Sequence, residues 1–253
     1  MVHLKSKSEI ELIRDSCRIA ADAMACVRDA LAPGVTTAVL DEIAADYIRS
    51  QGAVASAKGY RGYPGSICIS INEEVVHGIP GPRQLRAGDI LSVDIAVKKD
   101  GYHGDMNVSF PTGPVSEEAT RLMETTREAM NIGLQASVAG ARLGDVGHVI
   151  QRRVEVEGFS VVRDYCGHGI GRAFHEEPQL LHFGTNGTGR RLEPGTVFTV
   201  EPMVNEGGIE VRVLDDQWTA VTADGSLSTQ FEHTVAVTED GPDILSRFDD
   251  LPF

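Results

Sequence analysis

A chain of 253 residues is long enough to bury a sizeable core, and an apolar share of 42 % describes a soluble globular protein. The formal net charge of −14 argues against a non-specific nucleic-acid binder and fits a solvated acidic surface, which would also attract cationic peptide amino termini. Cys17, Cys26, Cys68 and Cys166 form no CxxC pair, and there is no apolar signal-like N-terminus or membrane-length run, so the expected setting is the reducing cytoplasm.

In chain order, Ser8–Ala30 reads as a helix, with Ser8 and Glu11 as a capping box and Ile10, Ile13, Cys17, Ala20, Met24 and Val27 at helical spacing. Pro33-Gly34 stops it. A second amphipathic helix runs from about Thr37 to Gly52. The glycine-rich loop Gly59–Gly65 leads to a β-branched run, Ser66–Ile71, and then to a segment containing HGIP. Ile90–Phe110 reads as a β-hairpin turning at Asp100-Gly101, because both central residues of such a turn need φ > 0. Counting outward from that turn sets Lys99 opposite Tyr102 and Asp94 opposite Asn107. Asp105 then shares their face, diagonal to Asp94 at about 7–8 Å.

The pattern then recurs. Ser116–Ala136 is a helix with acidic residues in its first turn, Ala139-Gly140 repeats Pro33-Gly34, and Gly158 repeats Gly52, both at a shift of 106 residues. Leu85–Val97 aligns with Leu192–Val204, which matches Asp94 to Glu201. Self-similarity over about a hundred residues predicts a duplicated half-domain rather than a solenoid. The expectation is one α+β unit over 1–253, with halves near 8–110 and 116–238 placing sheet residues in a central cleft and helices behind. Candidate strands Val197–Val204, Ile209–Leu214, Trp218–Thr222 and Ser228–Thr238 complete it, and Gly184–Arg190 reads as a hairpin loop rather than a phosphate cradle.

Asp94, Asp105, Glu201 and Glu232 interrupt otherwise apolar strands, and no Lys or Arg lies in those runs to neutralise them. Buried like charges need a proton or a cation between them, and divalent metal is the simplest partner. His168, between glycines in CGHGIG, adds an imidazole. Four acids balance two divalent cations, which suits a two-metal centre that ionises a bridging water, with Mn²⁺ or Fe²⁺ favoured and Co²⁺ or Zn²⁺ admitted. His77 and His175 have the chemistry to donate to an oxyanion or shuttle a proton; their spacing fits loop-capping histidines equally well. Tyr60, Tyr63, Phe174 and Trp218 lie near these motifs and would wall an apolar pocket, although each alone reads as core.

Taken together, SVDIAV, YHGDMNVSF, CGHGIGRAFHEEP, FTVEPM and QFEHTVAV resemble the methionine aminopeptidase family over nearly the whole chain. The resemblance implies the pita-bread fold: two pseudo-symmetric halves around a central antiparallel sheet. It implies metal ligation by Asp94, Asp105, His168, Glu201 and Glu232, with Asp105 and Glu232 bridging two ions and Glu201 also accepting the proton of the bridging water. His77 and His175 would contact the scissile peptide, and Tyr60, Tyr63, Cys68, Phe174 and Trp218 would form the methionine pocket. Where many bacterial members have a cysteine in that wall, this chain has Ala57. The short span from Glu201 to Glu232 and the absence of a cysteine-rich N-terminal extension resemble the bacterial type I enzymes.

The implied activity is removal of the N-terminal methionine of nascent polypeptides, with a small second residue preferred, by a metal-bridging hydroxide attacking the first peptide bond. A cytoplasmic monomer meeting the ribosome transiently is the matching expectation. The rival readings are a proline-specific peptidase of the same fold, which usually carries an extra N-terminal domain, and a catalytically inactive pita-bread binding protein, which predicts eroded ligands.

Overall fold

The computed structural model describes residues 2–248. Helix α1 (Lys7–Asp29) is capped by Ser6 rather than Ser8. The Ser6 hydroxyl accepts the Glu9 N–H, the Glu9 carboxylate accepts the Ser6 N–H, and Glu11 turns instead to Arg14. Both serines have capping-box spacing. The box that forms is the one whose glutamate also receives the Tyr102 hydroxyl, at 2.9 Å.

Helix α2 (Thr37–Ser50), capped by Thr36, leads through β1 (Val54–Ala55) and a 3₁₀ turn at Tyr60–Gly62 to β2 (Cys68–Ile71) and β3 (Glu74–Val76). The hairpin of β4 (Ile90–Lys99) and β5 (Tyr102–Pro111) follows, with Asp100 and Gly101 at φ 48° and 86°. That turn sets the register expected of it: Lys99 faces Tyr102 and Asp94 faces Asn107. Helices α3 (Glu117–Ala136) and α4 (Leu143–Val156) come next, then β6 (Ser160–Val161), β7 (Gly167–Gly169) and β8 (Glu176–Leu180). The last part supplies β9 (Val197–Val200), β10 (Met203–Asn205), β11 (Val211–Val213), β12 (Ala220–Thr222), β13 (Ser228–Gln230), β14 (Glu232–Thr238) and β15 (Gly241–Ile244).

The central antiparallel sheet has the order β1-β4-β5-β14-β9-β7-β8, with β2 also on β4 and β15 also on β14. Its middle is pseudo-symmetric. The β4–β5 pair stands on one side and β9–β14 on the other, and equivalent backbone bonds recur in each half. Gly34 N–H donates to Leu85 O at 2.8 Å and Gly140 N–H to Leu192 O at 2.9 Å, both glycines at φ 91°. Behind the sheet, Ile13, Cys17 and Tyr102 pack with Ile170 and Val197, while the larger core joins α1, α2, α3 and α4 to the sheet. The fold is α+β, with helices on one face and the other face left for the cleft.

Two predicted strands are interrupted. Val197–Val204 breaks at Glu201-Pro202, because proline has no N–H to continue the ladder. Ser228–Thr238 breaks at Phe231, and its pieces enter different sheets: β13 pairs with β10, β14 with β5 and β9. The loop 184–190 is not a hairpin loop, since β7 lies between β8 and β9 in the sheet. It folds over the start of α4 instead, where Gly187 N–H donates to Asp145 at 2.6 Å.

Candidate metal centre

Strand alternation puts residues i and i+2 on one face, and the antiparallel registers align these pairs across four strands. Asp94 faces Asn107, Asn107 faces Glu232, and the pairing of His233 with Val200 sets Glu232 beside Glu201, one step past the ladder. Two residues along, Ala96 faces Asp105 and Thr234 faces Thr199. Thr234 binds the Asp105 backbone, and Thr199 Oγ1 accepts the His168 N–H at 2.9 Å. The four acids and the imidazole thus occupy two adjacent rows of one sheet face.

Asp105, His168 and Glu232 offer ligand atoms within 4.8 Å of one another. His168 Nε2 lies 3.7 Å from Asp105 Oδ2 and 3.8 Å from Glu201 Oε1. Its Nδ1 donates to the Gly169 carbonyl at 2.9 Å, so the lone pair is on Nε2 and points at the acids. The flanking glycines let this strand close in: a Cβ at Gly167 would collide with the Thr199 carbonyl, and one at Gly169 with that of Glu177.

Burial pushes Asp94 up to about 7 and Glu201 up to about 8. Asp105 and Glu232 are driven well above the carboxylate range by burial and then by the neighbouring acids. Asp105 Oδ1 and Glu232 Oε1 are buried with no hydrogen-bond partner. Such a cluster is unfavourable as it stands and favourable around cations, and the donor set of carboxylate oxygens and one imidazole suits divalent ions of the Mn²⁺, Fe²⁺, Co²⁺ or Zn²⁺ kind. The residues fit the group.

Three side chains absent from the sequence-based site hold the acids. Thr199 Oγ1 donates to Glu201 Oε1 at 2.5 Å, Gln230 Nε2 donates to Glu201 Oε2 at 3.2 Å, and Asn107 Nδ2 donates to Gln230 Oε1 at 2.9 Å. His182 adds a fourth contact, accepting the Glu201 N–H on Nε2 at 3.1 Å where the ladder is broken. Alternation offered a signal for the first three: Asn107, Thr199 and Gln230 each stand two residues from a predicted ligand. His182 had none.

The acids open on a cleft of about 580 Å³ that brings together every predicted site residue: Tyr60, Tyr63, Cys68, His77, Asp94, Asp105, His168, Phe174, His175, Glu201, Trp218 and Glu232. At one end Ala57, Tyr63 and Cys68 form an apolar cluster with Ile79 and Trp218, the Tyr63 and Trp218 rings meeting edge-on at 5.1 Å. The Tyr63 hydroxyl donates to the Gly78 carbonyl at 2.8 Å. His77, at φ 60°, stands between Tyr165 and Trp218, and burial lowers its basicity. A left-handed backbone at a non-glycine residue is sustained only where the surroundings enforce it. His175 lies 4.1 Å from the His168 ring and stacks on Tyr60. Phe174 packs against His175 on one side and lies parallel to His103 on the other, 5.5 Å between centroids.

A fold with this sheet and this buried donor set defines a metallohydrolase, and the comparisons name its class. The model of metallopeptidase family M24 matches residues 11–239, and the chain belongs to that family. Within it the chain stands with the methionine aminopeptidases. Methionine aminopeptidase 1 of Bacillus subtilis (strain 168) is 48 % identical over 247 residues, spanning 98 % of this chain and 100 % of the relative. The crystal structure of methionine aminopeptidase from Rickettsia prowazekii matches with a TM-score of 0.96 at 42 % identity, over 98 % of this chain and 100 % of that one. Prolidase from Pyrococcus furiosus shares the fold alone, with a TM-score of 0.79 at 19 % identity, over 97 % of this chain and 66 % of that one.

Proposed function

We infer that the chain is a metal-dependent aminopeptidase that removes the N-terminal methionine of peptides and nascent proteins. The observation that carries this reading is the pair of residue rows, four buried acids and one imidazole, opening on an apolar pocket next to two more histidines. We propose that Asp94, Asp105, His168, Glu201 and Glu232 would hold two divalent ions. When bound, such ions supply Lewis-acid activation of water and of the scissile carbonyl.

The chain's own groups do the rest. Glu201, oriented by Thr199 and Gln230, accepts the proton of the attacking water and passes it to the leaving amine. His77, kept neutral by burial, and His175, beside His168, donate N–H groups to the carbonyl oxygen as it gains charge. Tyr60, Tyr63, Cys68, Phe174 and Trp218 take the methionine side chain, whose unbranched, polarisable form suits a closed aromatic pocket. The resemblance to methionine aminopeptidases further implies a preference for a small second residue.

We propose that the whole chain serves as one catalytic unit and that it acts as a monomer. Four free cysteines support a reducing cytoplasm, where amino termini emerge from the ribosome and would be met transiently. Among the described residues no helix is long and apolar enough to cross a membrane.

A peptide panel tests the reading: Met-Ala-Ser, Met-Leu-Ser, Leu-Ala-Ser and Ala-Pro-Ser, after chelation and after Mn²⁺ or Co²⁺ return. The expected result is metal-dependent release of methionine from Met-Ala-Ser alone. Cleavage of Ala-Pro-Ser would instead move the chain to the proline-specific relatives, and no turnover with any metal would contradict an enzyme.

A further inference from the structure

The turn 171–176 carries Phe174 and His175, and two separate ties fasten it to the start of the chain. Lys5 is only 6 % exposed, and its Nζ lies 2.5 Å from Glu176 Oε2. Lysine is almost never buried this far without a partner. Glu176 uses its other oxygen to accept the Ala173 N–H at 3.0 Å, which closes the turn around Phe174 and His175. The lysine stem runs past Gly171, where a Cβ would stand 2.5 Å from Lys5 Cε, and the Lys5 N–H is anchored on Gly195 O at 2.7 Å.

The second tie holds the other end of the turn. The Arg172 guanidinium lies over the Tyr102 ring at 4.6 Å, the Tyr102 hydroxyl donates to Glu9 Oε1 at 2.9 Å, and Glu9 is the capping-box partner of Ser6. His103 N–H also donates to Gly171 O at 2.8 Å. The segment from Lys5 to Glu9 therefore touches both ends of a turn whose middle faces the acids.

We propose that this segment is a clasp that positions His175 and Phe174, and that Lys5 is a positioning residue acting through Glu176. The proposal rests on the reading of His175 as a donor to the scissile carbonyl. A buried ion pair adds little stability over an apolar pair of the same volume, while a buried charge left alone distorts what surrounds it. The Lys5–Glu176 pair thus fixes the C-terminal end of a turn whose aromatic side chains pack on Tyr60, His103 and His168. Loss of either partner shifts His175 relative to the substrate oxygen and is felt in kcat. Loss of both charges together restores the turn, because a glutamine at 176 still accepts the Ala173 N–H.

The experiment is steady-state hydrolysis of Met-Ala-Ser by the Mn²⁺-loaded full chain carrying Lys5→Met, Glu176→Gln, both, or His175→Asn, with thermal unfolding followed in parallel. Each single clasp variant is expected to lower kcat at least about tenfold with KM within about threefold, as a small misplacement of a reacting group does. The double variant is expected to recover to within about threefold of the parent, a coupling that independent sites would not show. Lys5→Met within about twofold of the parent, or a double variant no better than the singles, overturns the clasp. Harmless Lys5→Met beside inactive His175→Asn removes the clasp alone, whereas a fully active His175→Asn removes the role of His175 and the clasp with it.

Discussion

Asp94 on β4 and Glu232 on β14 are held in one line across the sheet by Asn107, which pairs with both. The Asn107 side chain donates to Gln230 at 2.9 Å, and Gln230 in turn donates to Glu201, while the amide beside Asp94 partly offsets the rise that burial imposes on that carboxyl. The row Asp94, Asn107, Glu232, Glu201 reads across the pseudo-two-fold, with an acid at each outer end. A neutral amide among like charges relieves their repulsion through its N–H groups, and the remaining charge is what a divalent cation answers.

Replacing Asp105 by Asn removes one of the two most strongly raised acids. The expected outcome is a metal-free protein that melts several degrees higher, because folding no longer has to keep a buried carboxyl protonated far above its ordinary range, together with turnover reduced at least about a hundredfold through loss of a ligand. Calorimetry of chelated samples and peptide hydrolysis check the two halves. A variant that is both less stable without metal and still active would contradict the assignment.

The metal-free protein should lose stability as pH rises from about 6.5 to 8. Asp94, pushed up to about 7, and Glu201, pushed up to about 8, bind protons in the folded state that the unfolded chain has already released. Their contribution is complete below the ordinary carboxylate range near 4 and disappears as pH passes through 7 and 8. Buried His103, His168 and His233, lowered to about 4, and His182, lowered to about 3, work in the opposite sense but only below their ordinary 6.5. The window above 6.5 therefore belongs to the acids. Thermal melts of chelated protein should fall across it, and Mn²⁺ should flatten the slope. A flat profile without metal would show that the acids are not held together.

Much of this site was legible because one turn determined it. Asp100-Gly101 set the β4–β5 register, and that register alone placed Asp94 and Asp105 on a common face. The break beside Glu201 had a local signal in Pro202, which cannot donate to a ladder. The break at Phe231 had none, since it depends on Gln230 turning to pair with Met203 in another sheet. The choice of Ser6 over Ser8 was set by Tyr102, more than ninety residues away in the chain. The clasp of Lys5 on Glu176 was invisible for the same reason: nothing near Lys5 in the chain says which carboxylate it will meet.

His77→Ala and His175→Ala should each lower kcat by about a hundredfold or more while Mn²⁺ affinity stays within about threefold, the pattern of donors that serve the developing oxyanion. Titration calorimetry separates this from ligation. A large loss of Mn²⁺ affinity in either variant would make that histidine a ligand.

Thr199→Val removes the hydroxyl that donates to Glu201 Oε1 and accepts the His168 N–H, at nearly constant volume. Metal affinity should fall about tenfold to a hundredfold, the usual effect of losing a group that orients a ligand. Unchanged affinity would mean that Glu201 is placed by Gln230 and the backbone alone.

Trp218→Ala opens the apolar end of the cleft while leaving the acids untouched. KM for Met-Ala-Ser should rise about tenfold with a smaller change in kcat, as loss of uniform binding does. A fall in kcat alone would place Trp218 outside the side-chain pocket.

The most direct test of the metal centre is a calorimetric titration of Mn²⁺ into chelated protein, with methionine release from Met-Ala-Ser measured on the same samples, for the parent chain and for Asp105→Asn with Glu232→Gln. Turnover should rise with bound cation in the parent, and the double variant should bind none tightly and release no methionine. Tight cation binding with full turnover in the double variant would contradict the assignment of these two rows of residues as the catalytic metal centre.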